Sequence, residues 1–114
     1  MSKPADGERL FVYGSLLDPA ERWRLLRRDV SLLPATLFDF SRARTQHYFV
    51  TRAPGASVDG AVLLGLDRTD LRILDEYEQL PELYTRERIT VRLEGGSDIE
   101  CWIYLPTAWA RNQG

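Results

Sequence analysis

The first strong pattern is a short apolar run of strand formers, Leu10-Phe11-Val12-Tyr13, broken by Gly14-Ser15. Two leucines follow, and then a marked helix start: Asp18 as N-cap, Pro19 at the first helical position and Glu21 three residues beyond the cap. The helix is predicted over Pro19 to Arg28, with Ala20, Trp23 and Leu26 at i, i+3 and i+6. Thr36, Phe38 and Phe40 alternate with Leu37 and predict a strand over Ala35 to Phe40. Gln46 to Thr51 reads as another strand, and Pro54-Gly55 as a turn. Val58 to Leu66 is the most apolar run and suits a central strand. Gly60 and Gly65 within it predict bends or the close approach of other backbone.

Asp67 and Asp70 bracket a capping-box helix start, with the helix expected to reach Glu78 or Gln79 before Pro81 stops it. Tyr84 to Leu93 alternates Ile89, Val91 and Leu93 with Arg88, Thr90 and Arg92. Gly95-Gly96 then predicts a hairpin turn, and Ile99 to Leu105 returns. This last strand puts Ile99, Cys101, Ile103 and Leu105 on one face and Trp102 and Tyr104 on the other. Since both faces are apolar or aromatic, it is expected inside a curved sheet. Two separated helices among mostly neighbouring strands argue for an α+β fold rather than a doubly wound parallel sheet.

Composition narrows the setting. At 114 residues, 44% apolar and 28% charged, the chain is expected to form one globular domain, with residues 1–7 as a loose lead-in. A net charge of -2 offers no general attraction to nucleic acid or anionic membranes. The opening Met1-Ser2-Lys3-Pro4-Ala5-Asp6-Gly7 lacks the apolar core of a signal peptide, and no run has the length of a membrane span. With one cysteine and no expected disulfide, a cytoplasmic protein is the expectation.

The chemistry available is spare. No His/Asp/Glu cluster has metal-ligand spacing, and no phosphate loop of the P-loop or dinucleotide type occurs, so neither metal nor cofactor is expected. Strand, glycine turn and helix start in succession leave backbone N–H groups pointing into one space, able to hold a carboxylate, a phosphate or a developing oxyanion. Leu71, Leu74 and Glu78 share one helix face, while Arg72 and Glu76 share another, so Glu78 stands where a core residue is due. Partial burial there would raise its pKa toward a usable general base; a helix-end carboxylate swung into water is the other reading. His47 reads as a partly exposed strand residue and Cys101 as a small core residue. Arg22, Arg24, Arg27 and Arg28 crowd the first helix as a solvated basic face. Trp23, Trp102 and Trp109 lack an interleaved basic stripe and read as packing residues rather than base-stacking platforms.

Tyr13-Gly14-Ser15-Leu16 after a first strand resembles the first signature of the gamma-glutamyl cyclotransferase superfamily, which includes AIG2-like proteins. Leu74-Asp75-Glu76-Tyr77-Glu78 followed by Tyr84-Thr85-Arg86 is similar to its second. The likeness spans Leu10 to Tyr104 and implies a small mixed β-barrel with flanking helices. It also implies an enzyme that cyclises the gamma-glutamyl group of a small substrate to 5-oxoproline, releasing an amine, with no metal or cofactor. On this resemblance Glu78 takes the position of the catalytic glutamate. Tyr13, Gly14, Ser15 and Leu16 form the substrate loop, and Tyr84 matches a pocket tyrosine, although a strand-start tyrosine packed on the sheet is an equal reading. The family usually has glycine after the glutamate, where this chain has Gln79, so Gln79 must adopt a glycine-like conformation or the helix must end differently. Two other readings stay open. One is a non-catalytic binding module of the same fold; the other is a small interaction protein presenting its arginine-rich helix to an acidic partner.

Overall fold

Alternation along the strands sorts apolar side chains onto two faces and so builds two cores. In the computed structural model, which describes residues 7–44 and 48–107, Phe11 of β1 (Glu8–Val12) faces one core while Leu10 and Val12 face the other. The first core draws on all five strands and fills a closed barrel. Leu37 comes from β2 (Leu32–Arg44), Val62 from β3 (Tyr48–Leu66), Val91 from β4 (Tyr84–Leu93), and Cys101 and Ile103 from β5 (Asp98–Pro106). The second lies under the helices, where Leu26 of α1 (Pro19–Leu26) and Leu71 and Leu74 of α2 (Arg68–Tyr77) meet Leu63 and Leu66.

The barrel runs β1-β3-β2-β4-β5, with antiparallel pairs throughout except where β1 and β5 close it in parallel at Leu10 and Trp102. β5 thus lies between two strands, and its faces divide as the alternation predicts: Cys101 and Ile103 in the barrel, Tyr104 and Trp102 outside. The α+β class and the small mixed barrel with flanking helices are as expected. No helix among the described residues is long and apolar enough to cross a membrane.

Three local expectations change. Pro54-Gly55 is not a turn between strands, and the two predicted strands on either side are one long β3. Asp39 stands opposite residues 53–56, where the ladder shifts between the pairs Phe38–Ser57 and Phe40–Arg52. Asp39 takes a left-handed φ of 68° and Gly55 one of 85°, and the Gly55 N–H donates to Asp39 Oδ1 at 3.1 Å. This bulge absorbs the extra residues, so the strand bends without ending.

Helix α1 stops at Leu26, before the expected Arg28, because Arg27 turns left-handed at φ 60° and its N–H closes on the Trp23 carbonyl. Asp18 caps it as expected, accepting from Ala20 N–H at 2.9 Å, but Glu21 does not fold back onto the cap. Trp23, placed on the apolar face by its spacing, is 51% exposed, and Leu26 carries the burial instead. Arg24 and Arg27 are exposed as a solvated face requires, and Arg22, Arg24 and Arg28 also find partners within the molecule. Arg22 donates to the Leu16 and Leu17 carbonyls, Arg24 pairs with Glu21, and Arg28 pairs with the buried Asp70. The predicted lead-in through residue 6, His47 and Trp109 fall outside the described residues.

Candidate active site

At α2 the capping box closes in both directions: Asp70 N–H donates to Asp67 at 2.8 Å, and Asp67 N–H donates to Asp70 at 2.9 Å. The helix therefore starts at a defined residue, which fixes the face on which each later residue emerges. Leu71 and Leu74 are buried on that face, and Glu78 caps the far end with its N–H on the Leu74 carbonyl at 2.9 Å. Gln79 then takes the left-handed conformation, φ 61°, that glycine would adopt freely. The helix ends as a glycine C-cap would end it, and the steric penalty falls on Gln79.

Glu78 is half-buried, and burial pushes its carboxyl up to about 7. Among the described residues no cation or hydrogen-bond donor offsets that loss of hydration. Its surroundings are aromatic. Burial raises the hydroxyls of Tyr13, Tyr77, Tyr84 and Tyr104, and the Glu78 charge adds to the shift at each. For Tyr84 the result is about 12, so it is neutral and a donor at any physiological pH. Tyr13 and Tyr84 are both core residues, from the two separate clusters, and both feel the carboxylate, so packing on the sheet does not remove either from Glu78.

The loop after β1 reaches the same end of α2. Gly14 opens a 3-10 turn over Ser15–Leu17 that precedes α1; its φ is -137°, outside the left-handed region. Leu17 N–H closes on the Gly14 carbonyl at 2.9 Å and Asp18 N–H on Ser15 at 3.1 Å. Among the described residues, the N–H groups of Ser15 and Leu16 meet no acceptor. Leu16 is buried and anchors the turn, while Ser15 is exposed. Arg22 holds the turn's far carbonyls, and Arg42 Nη1 donates to the Tyr13 carbonyl at 2.9 Å. Ser15 Oγ lies 2.7 Å from Tyr77 Oη, one residue before Glu78, and this ties loop to helix end.

The structure thus brings Tyr13, Ser15, Tyr84 and Glu78 to one end of α2, with Gly14 and Leu16 shaping the turn. Cys101 is fully buried in the barrel, its thiol pushed up to about 11 by burial. Residue-by-residue reading missed the supports. Arg86 donates to both oxygens of Asp75 at 2.7 Å, and the Tyr104 hydroxyl donates to Asp75 Oδ1 at 2.7 Å. The Tyr13 hydroxyl donates to the Tyr104 carbonyl at 2.8 Å. A signal was there: Asp75 and Arg86 both stand within the second signature, without a role of their own.

A family model described as gamma-glutamyl cyclotransferase, AIG2-like, matches residues 10–114. The chain belongs to that family. Its relatives include AIG2-like protein D of Arabidopsis thaliana, 35% identical over 101 residues, covering 86% of this chain and 65% of that protein. A Methanocaldococcus jannaschii protein named as a gamma-glutamylcyclotransferase, with a provisional RNase designation beside it, is 27% identical over 99 residues, 84% of this chain and 45% of that one. The chain therefore spans between under half and about two thirds of the length of these curated relatives. Among solved structures, one titled gamma-glutamyl cyclotransferase superposes with a TM-score of 0.73 at 28% identity, covering 88% of this chain and 66% of the other. The solution structure of an Arabidopsis thaliana protein superposes with a TM-score of 0.81 at 27% identity, covering 90% of this chain and 70% of that one. The solved structure so titled shares this fold with the chain.

Proposed function

We propose that this protein is a gamma-glutamyl cyclotransferase, converting the gamma-glutamyl group of a small gamma-glutamyl amine or peptide to 5-oxoproline with release of the amine. The observation that carries the proposal is the Glu78 carboxyl, raised to about 7 by burial and set beside the glycine loop. A carboxyl in that range is part base and part acid near neutral pH, which suits a group that must take a proton and return one.

In the proposed reaction the substrate's α-ammonium gives a proton to Glu78. The freed amine attacks the γ-carbonyl carbon of the same molecule, forming the ring C–N bond and a tetrahedral oxyanion. As the bond to the leaving nitrogen breaks, the ring nitrogen loses a proton and the leaving nitrogen gains one, with Glu78 as carrier. Nucleophile and electrophile already share one molecule, so the site's task is to fold the substrate into the ring geometry. The N–H groups of Ser15 and Leu16, which meet no acceptor among the described residues, are the proposed donors to the substrate's oxygens, the oxyanion included. Gly14, Tyr13 and Tyr84 are the proposed walls.

The test is incubation with a panel of gamma-glutamyl compounds in ¹⁸O-labelled water, followed by mass spectrometry. Unlabelled 5-oxoproline is expected. Labelled glutamate as the first product would make the protein a hydrolase, and binding without turnover would make it a non-catalytic module.

A further inference from the structure

The last residue of α2 carries a hydroxyl to which the proposed reaction gives no task. Tyr77 Oη stands 2.7 Å from Ser15 Oγ and 2.9 Å from Glu21 Oε2, so it joins the glycine loop to α1 and, through its own backbone, to Glu78. Its ring packs against the core under the helices, with the Arg24 guanidinium 6.0 Å from its centroid.

The direction of these bonds follows from the acids and bases involved. Arg24 donates to both oxygens of Glu21, at 2.9 and 3.0 Å. That pairing, with the Tyr77 bond, holds the Glu21 carboxyl down at about 2. Glu21 is ionised throughout the physiological range and can only accept, so Tyr77 donates to it. A tyrosine has one proton, and Tyr77 is left as an acceptor toward Ser15. Ser15 must therefore donate its own proton to Tyr77, and its oxygen offers lone pairs alone to anything else that approaches. Ser15 is exposed and its neighbour Leu16 is buried, so the oxygen is open while its backbone is held.

We propose that Tyr77 is the positioning residue of this site: it fixes the Ser15 hydroxyl oxygen as an acceptor for a substrate N–H and holds the loop against the helix end that bears Glu78. The proposal rests on the cyclotransferase reading for its substrate. A gamma-glutamyl compound carries N–H groups at its α-ammonium and at the scissile amide, and either satisfies the oxygen. A carboxylate or carbonyl oxygen brought there would face lone pairs. The loop then has a built-in polarity, with nitrogen received at Ser15 Oγ and oxygen at the Ser15 and Leu16 backbone N–H groups.

The test is a double-mutant cycle of Ser15→Ala and Tyr77→Phe, with kinetics on the best substrate of the panel and amide hydrogen exchange across residues 14–17. Tyr77→Phe is expected to lower kcat/KM by roughly 10- to 100-fold, the scale of a misplaced substrate. The double variant is expected to be no worse than the poorer single, because the two hydroxyls act as one unit. The rising limb of the rate should keep its midpoint near 7, since Glu78 is untouched. Exchange at Leu17, whose N–H closes on the Gly14 carbonyl, should quicken several-fold. A Tyr77→Phe rate within about twofold of the parent, or losses that multiply in the double variant, would overturn the proposal. If Tyr77→Phe does not fold, Glu21→Leu keeps the Tyr77 ring and removes the acceptor that orders its hydroxyl; a parental rate there overturns the proposal equally. A parent inactive on every compound means that the cyclotransferase reading has failed. The clamp then stands or falls on hydrogen exchange alone, and unchanged protection at Leu17 in Tyr77→Phe would sink it.

Discussion

Arg86 Nη1 stands 2.7 Å from each carboxylate oxygen of Asp75, and this one contact locks the end of α2 onto the start of β4. The two residues are 11 apart in the chain, one in each half of the second signature. Trp102 covers the pair, its ring centroid 4.8 Å from the Arg86 guanidinium. The Tyr104 hydroxyl joins from β5. Glu78 caps α2 three residues beyond Asp75, and Tyr84 lies two before Arg86 on β4, so the ion pair sets the separation of those two candidate site residues.

Asp75→Ala should therefore lower both stability and turnover. It leaves Arg86 without its partner, while Arg86 Nε is already buried with no acceptor among the described residues. The side chains are 23% and 27% exposed, so the loss should fall below that of a fully buried pair, about 2 kcal/mol by urea denaturation. Replacing both partners, Asp75→Leu with Arg86→Met, should recover part of the stability but little of the turnover.

Glu78→Gln should reduce kcat by about 10²–10⁴-fold while leaving the fold intact, the usual range for loss of a general base. The same change should stabilise the protein at alkaline pH. The carboxyl titrates near its ordinary 4.5 when unfolded and near 7 when folded, so between those values the folded state binds more protons. Stability from this group is full below about 4.5, falls as pH rises through 7 and stays lost above it. Thermal denaturation at pH 5 and pH 8 should show the variant gaining about 2 kcal/mol over the parent at the higher pH, with allowance for partial exposure.

Gln79→Gly should be neutral to stabilising by up to about 1 kcal/mol. It relieves the left-handed backbone at φ 61° but adds freedom to the unfolded chain. Gln79→Val should destabilise by more than that, since a β-branched residue tolerates the conformation least. Chemical denaturation of the two variants checks both signs.

Gly60→Ala should cost about 3 kcal/mol or prevent folding, because its Cβ would lie 2.2 Å from the Val12 carbonyl oxygen, a backbone atom held in the β1–β3 ladder. Gly95→Ala is the control. Its Cβ would meet nothing within 4 Å, and its stability should match the parent's.

An N-acetylated gamma-glutamyl substrate should not be turned over, because cyclisation needs its α-amine as nucleophile. Turnover of the acetylated compound, followed by mass spectrometry of the products, would point to attack by water instead.

Much of this protein could be read along the chain wherever the cause was local. The Asp67–Asp70 box depends on residues three apart and forms as the spacing predicts. Strand alternation sorted Cys101 and Ile103 from Trp102 and Tyr104, because the pleat alone sets that period. Glu78 drew notice as a carboxylate on an apolar helix face, and its raised pKa follows from that position. Tertiary structure decided the rest. Pro54-Gly55 has the composition of a turn, yet β3 runs through it because Asp39 on the neighbouring strand takes up the bulge. The arginines after Asp18 look solvated in sequence; Arg22 turns back onto the nearby Leu16 and Leu17 carbonyls, but Arg28 meets Asp70, 42 positions away, only once the chain has folded. Tyr13 with Tyr104 and Ser15 with Tyr77 join residues 91 and 62 positions apart, and no local periodicity encodes such pairs. Pattern sets which face a side chain takes over a few residues; what that face meets depends on β1 lying parallel to β5, which only the closed sheet provides.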